Sequence, residues 1–256
     1  DVYKRQGRLM GTSRNTGSDK QTYYKLSLAG DAGDSVYDMA QTLFSGGAMD
    51  GKIALCEAAN SAESFFRLVH LGVDFPTNEY GEYVGYRTDH DVHGRATSIG
   101  PYTSKRMTEV LEEAVISKGI PIYDNCQAIR ILKGNGRVAG VLCIDTLTGG
   151  YIAFNTPHVI LATGGPAGIY FDSVYPQSQT GSSALALQAG ASFVNLSEWQ
   201  FGLASVDFRW NVSGTYQQVL PRYFSVDAQG VEREFLKEAF PSSKEMLKNI
   251  FLKGYE

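Results

Sequence analysis

The chain has 256 residues, 43% of them hydrophobic and 20% charged, with a formal net charge of -4 at pH 7. That length can bury a sizeable core in one large domain or two small ones, and the balance excludes both a disordered chain and a generally basic nucleic-acid-binding surface. Glycine is in excess, 28 residues or about 11% against a usual ~7%, so many positions need positive φ or a close approach to something else.

The first six residues, DVYKRQ, do not include a starting Met and resemble translated adapter remnants, so residues 1–12 are set aside as an artefactual or disordered start. Residues 11–18 (GTSRNTGS) form a small polar loop whose hydroxyls, amide and single cation suit a polyanionic or heteroaromatic ligand, or simply a solvated terminus. Residues 34–44 place Val36, Met39, Ala40, Leu43 and Phe44 on one helical face after an Asp or Ser cap. Residues 50–71 repeat the device, with Leu55, Ala58, Ala59, Ala62, Phe65, Phe66 and Val69 expected inward and Gly72 as the stop. Residues 80–104 lack a clean period and read as a long functional loop or a pair of short strands.

Thr103 or Ser104 then caps a helix through Met107, Val110, Leu111, Ala114 and Val115 that ends at Gly119, before a short strand signal at 120–123. Three apolar-rich stretches, 126–132, 138–144 and 151–154, are separated by Gly134-Asn135-Gly136 and Thr148-Gly149-Gly150 and predict an antiparallel meander. The run 158–162 has the continuous apolar character of a strand buried on both faces, and it ends in Thr163-Gly164-Gly165, where ligands sit in open α/β sheets. A short helix over 182–189, a strand over 191–196, a turn at 227–230 and a last helix capped by Ser242 or Ser243 follow. A domain boundary is expected near residue 203.

Cys56, Cys126 and Cys143 are too few and too scattered for a disulfide framework or a CxxC site; they read as buried small hydrophobes in a reducing compartment. No apolar run approaches the ~18 residues of a membrane span, so a cytoplasmic location is the default expectation. Asp89, His90, Asp91 and His93 raise a metal or acid/base role, but the remaining His70 and His158 sit in apolar contexts that suggest core or strand-edge packing. A substrate-facing or salt-bridged loop is therefore expected, with no metal. No GxSxG, GxxxxGK[ST] or HExxH signature is present, which removes support for hydrolase, P-loop and zincin readings.

The succession of Leu71-Gly-Val-Asp-Phe75, the helix 107–119, Val159-Ile-Leu-Ala-Thr-Gly-Gly165, Thr180-Gly-Ser-Ser183 with Ala189-Gly-Ala191, Glu198-Trp-Gln-Phe201, and Asp227-Ala-Gln-Gly230 before Glu232-Arg-Glu-Phe235 resembles the FAD-binding flavoproteins of the fumarate reductase, succinate dehydrogenase and L-aspartate oxidase superfamily. The resemblance runs from about Ser13 to Phe235. It implies an α/β fold: a partial doubly wound FAD-binding sheet with a three-stranded antiparallel meander over 13–202, plus the start of an α+β capping domain over 203–256. The family's first βαβ unit, with GxGxxG and an acidic ribose ligand, has no counterpart in the sequence, and the chain reads as an internal fragment.

The resemblance implies FAD contacts from Ser13, Asn15, Thr16, Gly17 and Ser18, from the backbone of Ala128 at the adenine, from Ala162, Thr163, Gly164 and Gly165, and from Gly181 and Ser182. Two departures bear on chemistry. Thr180-Gly-Ser-Ser183 stands where the family usually writes TGDG, which removes a carboxylate, and Gln200-Phe-Gly-Leu-Ala204 stands where relatives write QFHPT. Gln200 and Gly202 thus mark the substrate region without a cationic clamp, and Arg209 and Arg222 are the candidates for an anionic substrate. The implied activity is FAD-dependent hydride transfer to or from a small, unsaturated-carboxylate-like molecule, with an unidentified electron donor or acceptor and no nucleic-acid or membrane partner. The fragment is expected to be inactive alone. The rival is a non-catalytic flavin- or nucleotide-binding module or an inert remnant.

Overall fold

The computed structural model describes residues 8–15, 21–30, 33–88, 91–165, 170–173, 179, 181–194, 196, 205, 207, 212 and 214–252. In chain order the elements are α1 Thr12–Asn15, β1 Tyr23–Tyr24, α2 Val36–Ser45, α3 Gly51–His70, β2 Ala96–Thr97, α4 Thr103–Ser117, β3 Cys126–Gly134, β4 Arg137–Asp145, β5 Tyr151–Asn155 and α5 Ser183–Gln188. A 3-10 turn at Gly214–Val219, β6 Ser225–Val226, β7 Glu232–Arg233, α6 Phe235–Ala239 and α7 Ser243–Leu252 complete them. They group into two compact units, residues 1–16 with 104–211 and residues 17–103 with 212–256.

In the second unit the predicted caps form. The Ser35 hydroxyl accepts the Asp38 amide to start α2, and the Asp50 carboxylate accepts the Lys52 and Ile53 amides to start α3. Met39 and Ala40 of α2 pack on Ala54 and Ala58 of α3, with Tyr24, Leu26, Val36, Leu43 and Met49 around them. The buried stripe of α3 is Ala54, Ala58, Ser61, Phe65 and Leu68, whereas Leu55 and Phe66 of the expected face are exposed. The helix has an apolar arc wide enough to fit two phases, and α2 selects the one with small side chains because they let the two axes approach. Phe65 continues the stripe into an aromatic cluster, 4.8 Å from Phe75 and 5.0 Å edge-on from Tyr83 between ring centroids.

The irregular 80–104 stretch contains β2, which pairs antiparallel with β1, and Asp91 carries the salt-bridged role expected of the loop; Asp89 and His90 lie outside the described residues. Arg95 is fully buried at 0% exposure. Its Nε and Nη2 donate to Asp34 at 2.9 and 2.6 Å, and its Nη1 donates to Thr42 at 2.8 Å and to the Tyr24 hydroxyl at 3.2 Å, with Asp91 Oδ2 3.5 Å away. Tyr24 in turn donates to Asp91, and His93 Nδ1 lies 3.4 Å from Asp91 Oδ1.

Burial opposes the charge on Asp34, but the Arg95 bonds and the Ser27 and Ser35 amides outweigh it and hold the carboxyl at about 2. Burial and the Asp91 bond push Tyr24 up to about 12. Lys25, also fully buried, donates to the Leu26 carbonyl at 3.2 Å and lies over the Phe65 ring; burial brings its ammonium down to about 8, against the attraction of Asp34.

In the first unit β3, β4 and β5 form the expected meander in that order. Asn135 and Gly136, at φ +52° and +76°, make the β3–β4 turn, a pairing that fits the twist of adjacent strands. Bulges interrupt the β3 register between Ala128 and Arg130 and between Leu132 and Lys133. Lys133 Nζ donates to the Ala189 carbonyl at 2.8 Å, tying β3 to the end of α5.

Three predicted strands do not form. Residues 158–162 are irregular, with Ile160 92% exposed, because a run meant for burial on both faces needs pairing strands that the described residues do not supply. Residues 120–123 connect α4 to β3 with Tyr123 edge-on to Phe154, and residues 191–194 are irregular with Val194 exposed. The cysteines also divide, with Cys143 buried, Cys126 half-buried and Cys56 exposed on α3. His70 and His158 are exposed rather than packed.

The hairpin β6–β7 turns on Asp227, whose carboxylate accepts the Gln229 and Val231 amides. The helix α7 packs on the 3-10 turn with Met246 and Ile250 buried. No helix among the described residues is long and apolar enough to cross a membrane.

Replacing Asp34 by Asn strands a buried guanidinium and is expected to cost about 3 kcal/mol or more. Because the folded pKa lies below the ordinary 3.8, the stabilisation is complete above pH ~4 and is lost as pH falls toward ~2. The gap in urea midpoint between wild type and Asp34→Asn should therefore close across that window; a gap undiminished at the acid end would contradict the ion pair. Lys25→Met is expected to raise the midpoint near neutral pH, and to abolish the rise in wild-type stability as pH climbs from about 8 to about 10.5. A loss of stability at pH 7 would refute this.

Candidate functional site

Three segments of the first unit converge: the turn 11–15, the segment 162–165 and the segment around 179–183. The turn is closed by Asn15, whose Nδ2 donates to the Leu9 and Gly11 carbonyls at 2.6 and 3.0 Å. That leaves Thr12 and Arg14 partly buried and Ser13 and Asn15 exposed. The Thr12 hydroxyl donates to Gln179 Oε1. A Cβ built on Gly164 would lie 3.5 Å from Gln179 Nε2, so Thr12, Gln179 and Gly164 meet at one place. Gly164 has φ +75°, which an L side chain rarely adopts, and a Cβ on Gly165 would meet nothing within 4 Å.

Ala162 and Thr163 are exposed beside these glycines. Gly181, at φ +64°, leads into α5, where Ser182 occupies the N-cap position without a side-chain cap bond. Ala128 lies elsewhere on the unit, paired with Cys143 immediately before the bulge that leaves Ile129 out of register. β3 is the edge of its sheet, so the backbone N–H and C=O groups it does not give to β4 face outward, as reading a ligand edge requires. A groove of about 650 Å³ adjoins it, lined by Ile129, Arg130, Leu142, Tyr151 and Gln188.

Thr16, Gly17, Ser18, Gln200, Gly202 and Arg209 lie outside the described residues. Arg222, in the other unit, donates from Nε to Glu234 at 2.5 Å and from Nη2 to Glu232 at 2.9 Å, and stacks 4.8 Å from the Phe224 centroid. These bonds to Glu234 and Glu232 raise its pKa and commit its charge within the hairpin. No group of His, Cys, Asp or Glu among the described residues could hold a metal ion.

Gln179 carries no mark in the sequence. It has no periodic neighbour and belongs to no motif, and only the three-dimensional approach of two other loops gives it a role. The groups that meet there are backbone, glycine space, hydroxyls and an amide, a composition suited to a polar, phosphate-bearing molecule.

The sequence profile of the family described as FAD binding domain matches residues 18–244. An L-aspartate oxidase of Mesorhizobium japonicum is 29% identical over 173 residues, which is 66% of this chain and 33% of that protein. A succinate dehydrogenase flavoprotein subunit of Coxiella burnetii is 25% identical over 156 residues, 57% of this chain and 26% of that protein. The open conformation of a flavocytochrome c3 fumarate reductase superposes with a TM-score of 0.63 at 19% identity, covering 82% of this chain and 40% of that one. The apo Sdh1 complex of Mycobacterium smegmatis gives 0.61 at 19% identity, covering 73% and 34%. The chain thus spans about a third of the length of the first of these relatives.

Gly164→Ala is expected to destabilise the first unit by about 1 kcal/mol through its positive φ. Gly165→Ala, with open space before it, should lose less. Equal midpoints for Gly164→Ala and wild type in chemical denaturation would contradict this backbone geometry.

Proposed function

The chain belongs to the FAD binding domain family, and on that premise we propose that it forms part of an FAD-dependent oxidoreductase transferring a hydride between the flavin and a small organic, unsaturated-carboxylate-like substrate. The observation that carries the reading is the convergence of Thr12, Gln179 and Gly164 beside the open Gly165, a cradle with the backbone freedom and the uncharged donors that a dinucleotide needs. FAD, when bound, supplies the redox chemistry. Ser13, Gly164, Gly165, Gly181 and Ser182 would line it and exclude water, and the outer edge of β3 at Ala128 would meet the adenine. We assign residues 13–202 to cofactor binding and residues from 203 to the start of a capping part, in which α6, α7 and the 3-10 turn pack on one another, while the compact units divide the chain after 16, 103 and 211. The electron donor or acceptor lies outside the chain, and the cytoplasm suits its unpaired thiols.

A second reading, a non-catalytic flavin carrier, is favoured by what stands at the expected substrate positions. Gly202 offers no side chain to a carboxylate, and Arg222 is held by two glutamates. Purification of the full-length gene product separates the two. A visible flavin band that bleaches on reduction and returns on adding an unsaturated carboxylate supports the oxidoreductase; a band that no such substrate restores supports the carrier. A colourless full-length protein would sink both. Residues 1–256 alone, which contain no GxGxxG phosphate loop, are expected to retain little FAD after gel filtration, and stoichiometric retention would refute that.

A further inference from the structure

Arg14 is the single cation of the 11–18 loop, and its charge is directed into the protein. Its Nε donates to Thr108 Oγ1 at 2.9 Å, and its Nη2 donates to the Thr108 carbonyl at 3.1 Å and to Glu112 Oε2 at 2.5 Å. Nη1 lies 3.8 Å from Glu109 Oε1. Glu112 is shared, since its Oε1 also takes Arg8 Nε at 3.0 Å. The Arg14 and Glu112 side chains are only 15% and 17% exposed. Thr108 and Glu112 stand one turn apart on α4 and present a carbonyl, a hydroxyl and a carboxylate to one planar guanidinium, a match that an ammonium cannot reproduce. On the far side of the same turn Ser13 is exposed.

On this geometry we propose that Arg14 is a positioning residue. Neutralised by Glu112, it anchors the turn 11–15 to α4 and so fixes the place from which Ser13 meets the cofactor, instead of meeting the cofactor's phosphates as a charge. The inference rests on the FAD reading above. A turn of four residues held by Thr12 at one side and Arg14 at the other loses its freedom on folding, so that ordering it no longer weakens binding. Anion recognition by the loop then falls to its amides and hydroxyls.

The two roles of Arg14 make opposite predictions for Glu112. An arginine that touches phosphate is weakened by a competing carboxylate, so Glu112→Gln would leave FAD binding unchanged or tighter, and Arg14→Lys would preserve most of it. An arginine that positions the turn needs both the carboxylate and the planar fork. FAD titration of the apo full-length gene product, followed by flavin fluorescence, is expected to show Kd raised about tenfold in Arg14→Ala, in Arg14→Lys and in Glu112→Gln alike. The Arg14→Ala/Glu112→Gln double variant should be no weaker than either single.

The bound flavin should also lose fine structure in its visible band in all three single variants, a signature that a stability change distant from the cofactor would not produce. If Arg14→Ala does not fold, Glu112→Gln, which preserves side-chain shape, decides alone. Wild-type affinity in Glu112→Gln, or recovery in Arg14→Lys, overturns the positioning role. Failure of the wild-type protein itself to bind FAD overturns the cofactor reading instead.

Discussion

A guanidinium with no exposed surface organises the 21–103 part of the chain. Taking Arg95 out of water costs several kcal/mol unless every N–H finds an acceptor, and the protein answers with Asp34, Thr42, Tyr24 and Asp91. Each of these comes from a different place: the residue before the α2 cap, the body of α2, β1 and the loop after Tyr86. Satisfying one side chain therefore fixes the entry to α2, the β1–β2 pairing and the course of the loop together. The carboxyl of Asp34 closes the circuit by accepting the Ser27 and Ser35 amides as well. Of the cluster Asp89, His90, Asp91 and His93 in the sequence, Asp91 serves as a counter-ion in this network.

The same economy governs the unit that holds the candidate site. Arg14 and Arg8 are paired to Glu112, and Lys133 donates to the backbone carbonyl that ends α5. The surfaces left to a ligand are formed by Ser13, Gly164, Gly165 and the outer edge of β3, the last with Arg130 in the adjoining groove. A dinucleotide is recognised well by such a surface, because its pyrophosphate accepts from amides and hydroxyls and its purine reads a strand edge. Directing the cations inward gives the loop a rigid shape at the cost of its electrostatic reach, which is the trade expected where geometry matters more than attraction.

The elements that could be read from the sequence are those whose signals are local. Caps at Ser35 and Asp50, the periods of α2, α4 and α7, and the Asn135-Gly136 turn of the meander each rest on residues within one or two turns of chain. The segments proposed to meet the cofactor stand out for the same reason, since glycine after an apolar run and a string of small hydroxyl residues are sequence-local marks. Two things were not visible. The phase of α3 depends on what α2 can approach, and an arc with apolar residues at Leu55, Ala58, Ala59, Phe65 and Phe66 is compatible with either. The apolar runs 120–123, 158–162 and 191–196 have strand composition, but strand is a relation between segments and their neighbours.

By itself, then, the sequence determined the longer helices, the meander and the glycine-rich ends, because hydrophobic period, capping and turn chemistry act over a few residues, while the order of its motifs carried the resemblance to a flavoprotein family. Tertiary structure alone decided which carboxylates Arg14 and Arg95 would take, that Gln179 would stand between Thr12 and Gly164, and that Ile160 would face solvent. Those outcomes depend on side chains far apart in the chain reaching one point, where the cost of an unpaired buried charge or an uncovered apolar face is settled by geometry that no local pattern encodes.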